Sequence, residues 1–76
     1  MSLIQIRVTK GMLSEEKKKE MIIRVSEVVA EIEARPHPKE KLLRYTWCII
    51  DEVEPSKWGL AGQPLSLEMF KSLLED

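Results

Sequence analysis

From Leu3 to Thr9 the chain alternates: Ile4, Ile6 and Val8 point one way, and Leu3, Gln5, Arg7 and Thr9 the other. A period of two over this many residues predicts a strand, ended by Lys10-Gly11. The outer side is mixed rather than purely charged, so it suits contact with another subunit. From Ser14 the period changes. Met21, Ile22, Val25, Val28, Val29 and Ile32 are spaced to trace one face of a helix. Ser14 is its predicted N-cap, with Glu15 and Glu16 in the first turn. Glu15–Lys19, Glu20–Arg24 and Glu31–Arg35 are predicted i,i+4 pairs on the opposite face. Pro36 disfavours helical geometry at Arg35, which places the helix end near Ala34.

Pro36-His37-Pro38 breaks the chain, and Lys39 to Leu43 suits a short helical turn. A second strand is predicted from Tyr45 to Val53, rich in aromatic and β-branched residues. Cys48 and Ile50 are expected to face the helix, with Tyr45, Trp47 and Ile49 on the other side. Trp58-Gly59-Leu60-Ala61-Gly62 reads as a hairpin or loop after the Pro55-Ser56 turn. Ser66 is expected to cap a last helix, Leu67 to Leu74, with Leu67, Phe70, Leu73 and Leu74 on one face. Strand, long helix, strand is a βαβ unit, so the two strands should be parallel with a right-handed crossover. The fold class is α+β. Two strands and one helix cannot cover both sheet faces, and the face carrying Trp47 and Ile49 calls for another copy.

Composition sharpens this. At 76 residues the chain fits one domain, 1–76, of a size whose core rarely stabilises it unaided. Cys48 is the only cysteine, so no disulfide forms within the chain, and Cys48 with His37 cannot complete a four-ligand zinc site. Oligomerisation is the remaining staple. A formal charge of −1 argues against nucleic acid as the main partner, since phosphate binding needs clustered positive charge. No apolar run approaches the roughly 18 residues of a membrane span, and no signal core is expected. A lone cysteine suits a reducing cytoplasm.

The Leu3-Ile4-Gln5-Ile6 strand, Gly11, the Ser14-Glu15-Glu16-Lys17 helix start, the strand Cys48-Ile49-Ile50-Asp51-Glu52 and the Trp58-Gly59-Leu60-Ala61-Gly62 hairpin occur here in a telling order. Together, from Ser2 through Leu65, they resemble the 4-oxalocrotonate tautomerase family. The resemblance implies a βαβ tautomerase-like unit with a C-terminal hairpin, to which Leu67–Leu74 adds a short helix. It implies an active site in which the amine of an N-terminal proline moves a proton between carbons of a 2-oxo or enol acid. Arginines hold the carboxylate and steady the enolate charge, while a hairpin aromatic supplies an apolar wall. It also implies a symmetric oligomer, a hexamer, and no metal or organic cofactor.

The departures are specific. The family's proline position falls on Ser2, and no proline precedes Pro36. If Met1 is retained, the amine lies one residue before that position. The arginine after the glycine falls on Met12, and that of the second strand on Trp47; the hairpin aromatic survives as Trp58. The expected catalytic residue is therefore Ser2, a primary amine acting as a base or forming a Schiff base. Trp58 and Trp47 would line the pocket, and Lys10 or Arg44 would bind the carboxylate.

Other readings stand beside this one. Subunit packing explains Trp47, Trp58 and Tyr45 as well as a pocket does. His37 reads as a solvated loop residue, Cys48 as a small core residue and Lys17-Lys18-Lys19 as a solvated helix turn. Arg7 and Lys10 fit ordinary surface or interface charges. The chief functional alternative is a catalytically silent subunit serving assembly or ligand binding, in a homo- or hetero-oligomer. A third class, a nucleic-acid or protein-recognition module with a βαβ layout, is disfavoured by the near-neutral charge and the absence of an aromatic-basic strand face of the RNA-binding kind.

Overall fold

The protein is described by a computed structural model covering residues 1–75. Strand β1 spans Leu3–Thr9, helix α1 Glu15–Ala34, helix α2 Glu40–Leu43 and strand β2 Trp47–Val53. A 3-10 turn at Pro55–Lys57 leads to the two-residue strands β3 (Gly59–Leu60) and β4 (Gln63–Pro64), and then to helix α3, Leu67–Ser72. β1 and β2 are parallel and fully in register, from Leu3 opposite Trp47 to Thr9 opposite Val53. The expected βαβ unit, hairpin and short extra helix are all present.

Local chemistry accounts for the boundaries. Ser14 Oγ accepts the Lys17 N–H at 3.2 Å, satisfying one of the free donors of the first turn of α1. At the far end, Arg35 leaves helical geometry directly before Pro36. Strand β2 begins two residues later than expected. The Tyr45 and Thr46 N–H groups donate to the carbonyls of Leu42 and Leu43, so both residues close α2 rather than join the sheet. Ser66 Oγ caps α3 by accepting the Met69 N–H at 3.3 Å. That helix stops at Ser72, short of the expected Leu74, and both Leu73 and Leu74 are exposed.

The sheet alternates as its sequence does. Ile4, Ile6, Val8, Cys48 and Ile50 are half-buried, whereas Leu3, Gln5, Arg7, Trp47 and Ile49 are exposed. Thr9 departs from this pattern and is buried at the end of β1.

Helix α1 corrects the expected stripe. Ser26, Ala30 and Ala34 are its buried residues, while Val28 and Ile32 are 53% and 55% exposed. Four-residue steps put the three small side chains along one line of the helix, and at 100° per residue Val28 and Ile32 lie roughly opposite Ala30. The cause is a second partner. Helix α1 packs against α2 as well as β2, and Lys39 of that connection reaches Glu27 at 2.9 Å. Small side chains let the helices approach, and a set of large apolar residues is left outside.

The charge pairing is also revised in one place. Glu20–Arg24 and Glu31–Arg35 pair at 3.0 and 3.3 Å as expected. Glu15 instead pairs with Lys18 at 2.8 Å, and Lys18 also pairs with Glu52 of β2. Lys18 is thus a half-buried link between helix and sheet rather than part of a solvated turn.

Candidate functional site

A parallel crossover dictates what lies near the chain start. Strands β1 and β2 begin at the same edge of the unit, and α1 runs back between them, so its C-terminal turn returns to that edge. Ser2 is half-buried there, and its carbonyl accepts the Trp47 N–H at 2.9 Å. Trp47 opens β2 opposite Leu3 with 71% of its surface exposed. Arg44 caps α2 three residues earlier and stacks its guanidinium 5.3 Å from the Tyr45 ring centre. Ser2, Trp47 and Arg44 therefore occupy one end of the unit.

Lys10 and Trp58 sit at the other. The Lys10 N–H donates to Val53 at 2.9 Å, and its ammonium pairs with Glu54 at 3.1 Å. The indole N–H of Trp58 also donates to the Val53 carbonyl, at 3.3 Å. Its ring meets Phe70 of α3 edge-on, with centres 5.8 Å apart and planes at 70°. Trp58 thus has its polar handle satisfied and one side packed. A seven-residue strand at about 3.3 Å per residue separates the two groups by roughly 20 Å. A single chain does not assemble the five expected residues into one pocket.

One further residue stands at the Ser2 end. Ser2 Oγ donates to Glu33 Oε1 at 2.6 Å, and the Met1 amine lies 3.8 Å from Glu33 Oε2. In sequence Glu33 resembles the other acids on the polar side of α1. The signal that could have found it is topological: it falls in the last helical turn before a crossover that returns to β1.

The larger concavities lie elsewhere. A groove of about 430 Å³ runs beside Leu13, Met21 and Val25, with Lys17, Glu20 and Arg24 at its rim. One of about 360 Å³ opens between Ala34, His37, Lys41 and Leu42. A third, about 270 Å³, lies between the hairpin and α3, against Leu60 and Phe70. None of the three is lined by Ser2, Trp47 or Glu33. The chemically suggestive end of the unit is an open surface in one protomer.

Comparison with known proteins supports a family and a fold. The family model described as "Tautomerase enzyme" matches residues 3–68, from the start of β1 into α3. The crystal structure of DmpI from Helicobacter pylori is similar to this chain with a TM-score of 0.52. It is 25% identical, over 83% of this chain and 90% of that one. Among curated proteins no relative matches.

Proposed function

The chain belongs to the tautomerase enzyme family, and on that premise we propose that it transfers a proton on a small 2-oxo or unsaturated carboxylic acid, using the amine at its chain start as the base. The observation that carries the reading is the position of Ser2. It sits at the head of β1, its carbonyl accepting the Trp47 N–H, beside exposed Leu3 and Trp47. An unprotonated amine removes a proton from the enol hydroxyl or the acidic carbon and returns it to the neighbouring carbon of the conjugated system. The charge that develops on the enolate requires a fixed cation.

That cation is Arg44 or Lys10, with Trp47 and Trp58 as walls. Because Lys10 and Trp58 lie at the far end of the strand, their participation requires another subunit to place its distal end against this Ser2. The proposed assembly is a hexamer, in which the pocket is shared. No helix is long and apolar enough to cross a membrane, and we place the protein in the cytoplasm, where Cys48 stays reduced.

The test is turnover of phenylenolpyruvate by the purified protein, with intact mass recorded to establish which residue carries the terminal amine. Ketonisation well above the buffer rate, abolished by transamination that converts the α-amine to a carbonyl and so removes the base, is the expected outcome. A rate equal to the buffer rate refutes it. The second reading, a silent subunit that assembles or binds a ligand, draws support from Met12 and Trp47 standing where the family resemblance places arginines. It predicts ligand binding or assembly without turnover.

A further inference from the structure

Helix α1 ends with an electrostatic anomaly. A helix C-terminus carries partial negative charge and favours cations, yet the last turn of α1 has no basic residue and includes Glu33. Nearby acids have partners that explain them: Glu31 pairs with Arg35 and Glu27 with Lys39. Glu33 gains nothing from its own helix. A local rule broken without local compensation points to a role elsewhere, and both carboxylate oxygens reach the chain start. Oε1 accepts the Ser2 hydroxyl at 2.6 Å and Oε2 faces the Met1 amine at 3.8 Å.

We infer that Glu33 is the positioning residue of the N-terminal amine: it tethers the first two residues to the end of α1 and so sets where the base stands relative to Trp47. The short contact to Ser2 Oγ is the directional arm. The longer contact to the amine is a charge pairing, weak by itself at an exposed site. Two contacts on one carboxylate restrict a chain terminus that otherwise frays. A base held near its reacting atom works far better than one that wanders. The inference rests on the proposed use of the amine, but the tether can be tested without it.

The experiment uses the full chain and the variants Glu33→Ala, Glu33→Gln, Ser2→Ala and Ser2→Ala/Glu33→Ala. With phenylenolpyruvate, Glu33→Ala should lower kcat about tenfold and change KM less than threefold. Glu33→Gln should fall between it and the unmodified protein, because its amide oxygen can still accept the Ser2 hydroxyl. The double variant should be no worse than Glu33→Ala, the signature of two residues acting through one contact. A kcat for Glu33→Ala within twofold of the parent, or losses that multiply in the double variant, overturns the inference. Formaldehyde with a hydride reductant supplies the independent arm. Peptide mapping should show the α-amine labelled at least threefold faster, relative to the lysines, in Glu33→Ala than in the parent. Equal labelling overturns the tether; absent turnover in the parent with faster labelling in the variant refutes the enzymatic reading alone. Should Glu33→Ala fail to fold by circular dichroism, Glu33→Gln carries the labelling arm, since it removes the charge and keeps the shape.

Discussion

Ala61 occupies a conformation that a side chain resists. Its φ of 54° and the 80° of Gly62 are the two positive values of a tight turn joining Leu60 to Gln63. That geometry matches the twist of a hairpin and favours glycine or asparagine at both central positions. An alanine there costs about 1 kcal/mol. Ala61→Gly should therefore raise the melting temperature, by roughly 4–8 °C for a domain of this size, in calorimetry at fixed protein concentration. Gly11 is the converse case. With φ at 94° any side chain there is strained, and the Leu67 side-chain carbon 3.3 Å from where a Cβ would stand would have to shift. Gly11→Ala should destabilise by about 1–3 kcal/mol, read as a lower denaturant midpoint with an unchanged slope. A stability equal to the parent's would show that the turn relaxes freely.

Helix α1 shows both what the sequence makes legible and what it hides. Its ends were readable because Ser14 and Pro36 act on their immediate neighbours. Its buried side was not, because rotation about the helix axis is decided by every partner at once, and α2 competes with the sheet for contact. The same logic applies to Lys18. As one of three consecutive lysines it gives no sign of its two carboxylates, and only the parallel crossover brings Glu52 beside it. Of the proposed site, Ser2, Trp47 and Trp58 could be singled out from the resemblance, but Glu33 could not, since Ser2 is 31 residues away in sequence and adjacent only in the fold.

The Lys18 link predicts a pH response. Its hydrogen bonds to Glu15 and then Glu52 hold the ammonium above the usual lysine value of 10.5, while the bond from Lys18 holds Glu15 below the usual 4.5. Glu15 thus stabilises the fold above pH 4.5, and that contribution is lost as pH falls through its lowered folded value. The lysine contribution is present below pH 10.5 and is lost as pH rises through its raised folded value. Lys18→Met should narrow its stability difference from the parent at both extremes and show the largest difference between them. A difference that stays constant from pH 3 to pH 11 would mean the link contributes packing rather than charge.

As a whole, the protomer exposes more than a folded monomer should. Its accessible surface is 6120 Å², against about 4,800 Å² expected from its 8.8 kDa mass. The radius of gyration is 15.7 Å, where compact packing of this length gives about 11 Å. The only fully or nearly buried apolar residues among those described are Ala30 and Ala34, far too little core to offset the chain entropy of folding. The surplus of roughly 1,300 Å² is of the order that a specific protein interface buries. The protomer's large exposed apolar residues include Leu3, Trp47 and Ile49 on the outer sheet face, Val28 and Ile32 on α1, and Leu60, Leu73 and Leu74 toward the C-terminus. Folding and assembly should therefore be one equilibrium, with a melting temperature that rises with protein concentration. Light scattering at micromolar concentration should give a multiple of 8.8 kDa. Ile49→Glu places a charge in the middle of the outer sheet face, away from the chain start. It should abolish that mass and, because the protomer has so little core, lose most of its helical circular dichroism as well. A variant that remained fully helical at 8.8 kDa would show that the protomer is stable alone, and a parent at that mass would remove the shared pocket.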